Sequence, residues 1–118
     1  ELPPSESGQW VVGWGLDEPN QRVWLPGGRW IDFSKRPLHW RILETIAARG
    51  GRATKEEIVL AVWDEPEYHP LRHDTRLQVA VRKLRELLED TPSEPHRLVT
   101  TEDGYAFEGH VRRLRTAC

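Results

Sequence analysis

Between His73 and Glu89 the apolar residues fall at Leu77, Val81, Leu84 and Leu88. Steps of four, three and four stack them on one side of an α-helix. Ala80 and Leu87 widen that stripe, while Gln78, Val79 and Arg82 occupy the opposite side, with Lys83 and Arg85 on its flanks. The spacing predicts an amphipathic helix over 74–90. Asp74 or Thr75 is suited to cap it, because the first backbone N–H groups of a helix have no partner within it.

Other periods mark the rest of the chain. Trp10, Val12, Trp14 and Leu16 alternate with Val11, Gly13 and Gly15, the pattern of a strand with one buried face. Gln21–Leu25 and Arg29–Phe33 flank Pro26-Gly27-Gly28, a hairpin signal. Together these predict a three-stranded antiparallel sheet over 10–33. Trp40, Leu43, Ile46 and Ala47, with Leu38 and Ile42 on a second side, predict a mostly buried helix over about 35–49. Ser34 is its expected cap and Gly50-Gly51 its end. Thr54 and Glu57 form a capping box for a short helix to Trp63, with Ile58, Ala61 and Val62 inward. Pro66 and Pro70 keep 64–72 from being helical throughout. Leu98–Thr101 and Tyr105–Phe107 bracket an Asp-Gly pair, which predicts a hairpin over 97–108. The tail, 109–118, alternates weakly through Val111 and Leu114 and either extends that last strand or frays.

Composition narrows the classes. The length of 118 residues suits one domain, and 17 Lys+Arg against 19 Asp+Glu leaves no net charge that by itself points to a nucleic acid. No run approaches the roughly 20 apolar residues of a membrane span. Cys118 is the lone cysteine, so no internal disulfide forms, which fits a reducing, cytoplasmic setting. Residues 1–9 are rich in Pro, Ser and Glu and read as a linker. A start at Glu1 rather than Met points to an excised domain or a processed product, with 10–118 as the folded unit. No nucleophile–base constellation or phosphate loop appears, so no catalytic residue, cofactor or enzyme activity is expected. His69 and His73 have the spacing of a helical metal pair, but Pro70 intervenes and no further ligand completes a site, so no metal is expected.

The order is sheet, capped helices, a longer helix with a basic outer face, then a hairpin. TKEEIVLAVW (54–63), LQVAVRKLRELLE (77–89) and LVTTEDGYAF (98–107) resemble, in that order, the second helix, recognition helix and wing of the OmpR/PhoB-type DNA-binding effector domains. The resemblance implies an α+β winged helix-turn-helix fold, with an N-terminal antiparallel sheet, a three-helix core over 34–90 and a C-terminal hairpin wing. It implies double-stranded DNA as partner, with helix 74–90 in the major groove. There Arg82 and Lys83 can donate to guanine O6 and N7, and Gln78 can pair with adenine. Val79 can meet a thymine methyl. Arg72, His73, Thr75, Arg76 and Arg85 stand where phosphates would be held.

The chain departs from the family in three places, one being the opening of the first helix, SKRPLHW (34–40) instead of the usual Leu-Thr-x-x-Glu. The loop 64–73 is longer than is common, and in the family that loop contacts RNA polymerase or another protein. The wing tip carries Glu102 and Asp103 where relatives place arginine for the minor groove. The alternative is therefore a winged helix that has lost DNA and serves protein–protein interaction. Between His69 and Glu89 the excess is five Lys/Arg over three Asp/Glu, modest for a DNA binder. Trp14, Trp24 and Trp30 are expected mainly in the core or on a sheet face, or else as an exposed patch for docking another domain. No heptad seam points to self-association.

Overall fold

The computed structural model describes residues 14–25, 29–64, 66–89, 95, 97–109 and 111–114. The linker expected at 1–9, the strand positions 10–13, the turn 26–28 and the end of the tail lie outside the described residues.

Strands β1 (Trp14–Asp17), β2 (Arg22–Leu25) and β3 (Arg29–Asp32) form the expected antiparallel meander. Trp14, Leu16, Val23 and Leu25 are buried, with Leu16 directly opposite Val23. On the other face Arg22 lies 4.1 Å over the Trp30 ring and pairs with Asp17 at 2.8 Å. The exposed tryptophan patch does not form. Trp14 is fully buried and Trp24 nearly so, packed edge-on to the half-buried Trp30 at 5.2 Å.

Helix α1 spans Pro37–Ala48, and Arg36, not Ser34, takes the N-cap position, without a side-chain capping bond. Proline excludes the residue before it from helical backbone angles, so the helix begins at Pro37. The Ser34 N–H instead donates to the Asp32 carboxylate at 2.9 Å, closing the turn that leads in. At the other end Gly50 and Gly51 have φ of +81° and +95°, and their N–H groups return to Ala47 and Ile46.

A short strand not expected from the sequence, β4 (Arg52–Thr54), follows. Three residues are too few to display a period. Helix α2 (Lys55–Val62) then starts on the expected capping box, with Glu57 N–H on Thr54 Oγ1 at 3.0 Å and Thr54 N–H on Glu57 Oε1 at 2.9 Å. Val59, rather than Ala61, joins Ile58 and Val62 in the core.

Helix α3 runs from Pro70 to Leu88 and buries Leu77, Ala80, Val81, Leu84 and Leu88. It begins four residues before the expected Asp74, because Pro70 takes the first helical position, where a missing N–H costs nothing. The connection to α2 is shorter than the 64–73 loop by the same turn. The wing is β5 (Leu98–Thr100) with β6 (Gly104–Phe107), and β4 pairs on β6 to make a second sheet ordered β4-β6-β5.

The described part of the tail, 109 and 111–114, does neither of the things expected of it. Residues Val111–Leu114 form β7, which crosses back to the first sheet and pairs parallel with β1, so that sheet is ordered β3-β2-β1-β7. Gly109, at φ +103°, turns the chain toward it.

Gly104 fixes the seam between the wing and α2. A Cβ there would lie 2.0 Å from the Ala53 carbonyl oxygen and 2.6 Å from Thr54 Cα, both backbone atoms. Gly104→Ala is expected to cost about 3 kcal/mol, the upper end for forcing a methyl into a packed site. Urea denaturation measures it, and a loss under about 1 kcal/mol would mean that β4 and β6 do not pack this closely.

Candidate nucleic-acid interface

The geometry around α3 sorts its charged residues into two groups. Some are committed to the fold. The Glu89 carboxylate is buried and accepts the Arg97 and Leu98 N–H groups, each at 2.8 Å. Arg85, one turn earlier, donates from Nε to the Leu98 carbonyl at 3.0 Å and from Nη2 to Thr100 Oγ1 at 2.9 Å. Its guanidinium also lies 5.7 Å from the Tyr105 ring centroid. Arg85 and Glu89 thus staple the wing to the end of the helix. Arg85, expected at a phosphate, is held against the wing.

His73 departs further from expectation. It is fully buried, and its Nδ1 accepts the His69 N–H at 3.0 Å, which satisfies the backbone at the N-terminal cap. A residue packed there does not reach a phosphate. Asp74, an expected cap, accepts the Tyr68 hydroxyl instead. Burial first, and then that carboxylate, push the Tyr68 hydroxyl up to about 12, so it stays a donor.

The second group faces outward. Arg72, Thr75, Arg76, Gln78, Val79 and Arg82 are exposed, and Lys83 is half-exposed, 3.5 Å from Glu86. Arg76 leans toward the Trp63 ring, at 5.8 Å. Of the acids on the helix, Asp74 and Glu89 are drawn into structural hydrogen bonds, and Glu86 is the one left on the exposed face. Arg72, Arg76, Arg82 and Lys83 therefore dominate a surface that a plain charge count makes look nearly balanced.

Helix α1 adds to this surface. His39 is held below the usual imidazole range, by burial first and then by the positive charges of Arg36 and Lys83. Arg36, before α1, and Lys83, on α3, thus both act on His39. The Lys35–Arg36 pair is visible in the sequence, but that Arg36 and Lys83 both act on His39 depends on how the helices pack.

The wing tip is set differently. The Asp103 carbonyl accepts the Lys55 N–H at 2.9 Å, and Thr101 N–H closes the turn on the Gly104 carbonyl at 2.8 Å. The tip is therefore tied to the start of α2, with Glu102 and Asp103 exposed on it.

Glu89→Ala would strand two backbone donors. A loss of about 2–3 kcal/mol in unfolding free energy is expected, with faster hydrogen exchange at the Arg97 and Leu98 amides. Unchanged exchange there would show that the staple does not hold the wing.

A helix pair joined by the 63–69 connection, with a hairpin fixed to the end of the second helix, defines a winged helix-turn-helix. The sequence profile of the family described as "Transcriptional regulatory protein, C terminal" matches residues 32–107. The chain belongs to this family, the OmpR/PhoB-type DNA-binding domains of transcriptional regulators. It is 38% identical over 74 residues to the transcriptional regulatory protein KdpE of two Mycobacterium tuberculosis strains, CDC 1551 / Oshkosh and H37Rv. That alignment covers 61% of this chain and 31% of KdpE, so the chain spans about a third of the length of the curated relatives it matches. Its fold is similar to the crystal structure of the Klebsiella pneumoniae RstA DNA-binding domain in complex with the RstA box. The TM-score is 0.63 at 26% identity, covering 80% of this chain and 90% of that one. The family is non-enzymatic. Among the described residues no helix is long and apolar enough to cross a membrane.

Proposed function

We propose that this chain binds double-stranded DNA by laying the exposed face of α3 in the major groove. What carries the proposal is the sorting of charge on that helix: Asp74 and Glu89 are taken up by the fold while Arg72, Arg76, Arg82 and Lys83 stay outside. Arg82 and Lys83 donate to guanine, Gln78 pairs with adenine and Val79 meets a thymine methyl. Arg72, Thr75 and Arg76 hold phosphates, helped by Arg36 at the start of α1. His73 and Arg85 act through the fold, as cap and wing staple. The acidic tip keeps the wing out of the minor groove. The exposed acidic segment after α2, with Asp64 and Glu67, is the surface we assign to RNA polymerase or another protein. A regulator of this kind works on DNA in the cytoplasm. We take residues 1–9 as the link to an upstream segment.

Fluorescence anisotropy with a random-sequence duplex, from low to moderate salt, tests this. Neutralising about three phosphates, by Arg36, Arg72 and Arg76, gives a log–log slope near −2.7. Absence of binding at low salt would reject the proposal and favour a protein-interaction winged helix, for which the acidic wing tip is the supporting feature.

A further inference from the structure

We propose that Leu71 is a specificity-determining residue that reads a thymine methyl at the edge of the bound site. This rests on the duplex-binding proposal above and extends it to a position outside the expected helix. Leu71 is the second residue of α3, and its 101% relative exposure makes it as open as a side chain can be. The two large hydrophobics exposed among the described residues are Leu71 and Val79, and both are on this helix.

Their placement follows from helix geometry. Leu71 precedes Gln78 by two turns and Arg82 by three, so Leu71, Thr75, Gln78 and Arg82 form one stripe. The early start at Pro70 therefore adds one more reader to the N-terminal end of that stripe. In helix-turn-helix proteins that end supplies the base contacts. Leu71 and Val79 are eight residues apart, about 12 Å along the axis, or three to four base-pair steps.

The neighbours of Leu71 decide the kind of partner. Arg72, Thr75 and Arg76 around it are exposed and polar. An apolar protein-docking surface needs a contiguous patch, and one leucine among cations does not make one. A C5-methyl group is an apolar target of matching size, set among acceptors and phosphates that suit those polar neighbours. It is also the group that marks thymine in the major groove.

The test starts from duplexes recovered from a random library by the wild-type chain. Each thymine in a recovered duplex is replaced in turn by deoxyuridine, which removes the methyl alone. Affinities are then measured for wild type, Leu71→Ala and Val79→Ala. Neither substitution disturbs the core, and alanine favours the helix. The expected result is one thymine whose methyl matters to wild type by about three- to fivefold, the value of one buried methyl, and not to Leu71→Ala. A second such thymine, three to four steps away, should lose its effect in Val79→Ala. If every deoxyuridine position affects Leu71→Ala as it affects wild type, Leu71 reads no methyl and this inference fails while duplex binding stands. If the library yields no duplex, the duplex-binding proposal itself fails and takes this one with it.

Discussion

Trp14→Ala is expected to lower the unfolding free energy by about 3–5 kcal/mol, the cost of truncating a buried tryptophan. Trp14 is fully buried at the start of β1 and bridges the two sheets. Its Nε1 donates to the Glu108 carbonyl at 3.0 Å, and its ring lies 4.5 Å from that of Phe107. It stands opposite Val111 of β7. One truncation therefore opens a cavity, leaves a carbonyl without its donor and loosens the end of the wing. Trp14→Phe keeps an aromatic ring but not the donor, so its hydrogen-bond loss alone is about 1 kcal/mol. Urea denaturation of both variants separates the two effects. A cost below about 1 kcal/mol for alanine would mean that the N-terminal sheet is not coupled to the wing through this residue.

The second large effect is on binding. Arg82→Ala/Lys83→Ala removes two cations from the middle of the outward face of α3. Each well-formed base contact is worth about 1–3 kcal/mol, so duplex affinity should fall at least tenfold. The salt slope should change little, because both residues are assigned to bases, whereas Arg72→Ala or Arg76→Ala should flatten it by about one. Stability should change by less than about 0.5 kcal/mol, because exposed residues carry little of it. Arg85→Ala provides the contrast. It should disturb the wing, seen as altered Leu98 and Thr100 amides, before it touches the groove-facing residues. Equal affinity of the double variant and wild type would remove α3 as the reading surface.

How much of this is legible in the sequence depends on how many residues each feature spans. The stripe of Leu77, Val81, Leu84 and Leu88 repeats over three turns, and the core side of α3 follows it. The Thr54–Glu57 box and the Asp-Gly hairpin are local chemistry, complete within four residues each, and both appear where expected. Helix starts are harder. At Pro37 and Pro70 the rigid φ and missing N–H outweigh the side-chain caps offered by Ser34, Asp74 and Thr75. The cap of α3 comes from His73, four residues after the residue it serves, and no standard cap pattern announces that. Features that join distant segments are out of reach of any local pattern. β4 and β7 are strands because of their partners, β6 and β1. Arg85 has the sequence signature of a phosphate-binding residue because its carbonyl and hydroxyl acceptors lie on another element. Leu71 is hidden for the opposite reason: placed in a loop, an exposed leucine means little.

On the proposed function, the outward face of α3, from Leu71 to Lys83, meets duplex DNA. Mapping backbone amide shifts of this chain by NMR, during titration with a duplex recovered by selection, tests it most directly. The largest changes are expected at Leu71, Arg72, Thr75, Gln78, Val79 and Arg82, with smaller ones near Arg36. Little change is expected on the outer face of the first sheet around Trp24 and Trp30. Shifts concentrated on that sheet, or on the 64–69 segment with α3 unmoved, would contradict it.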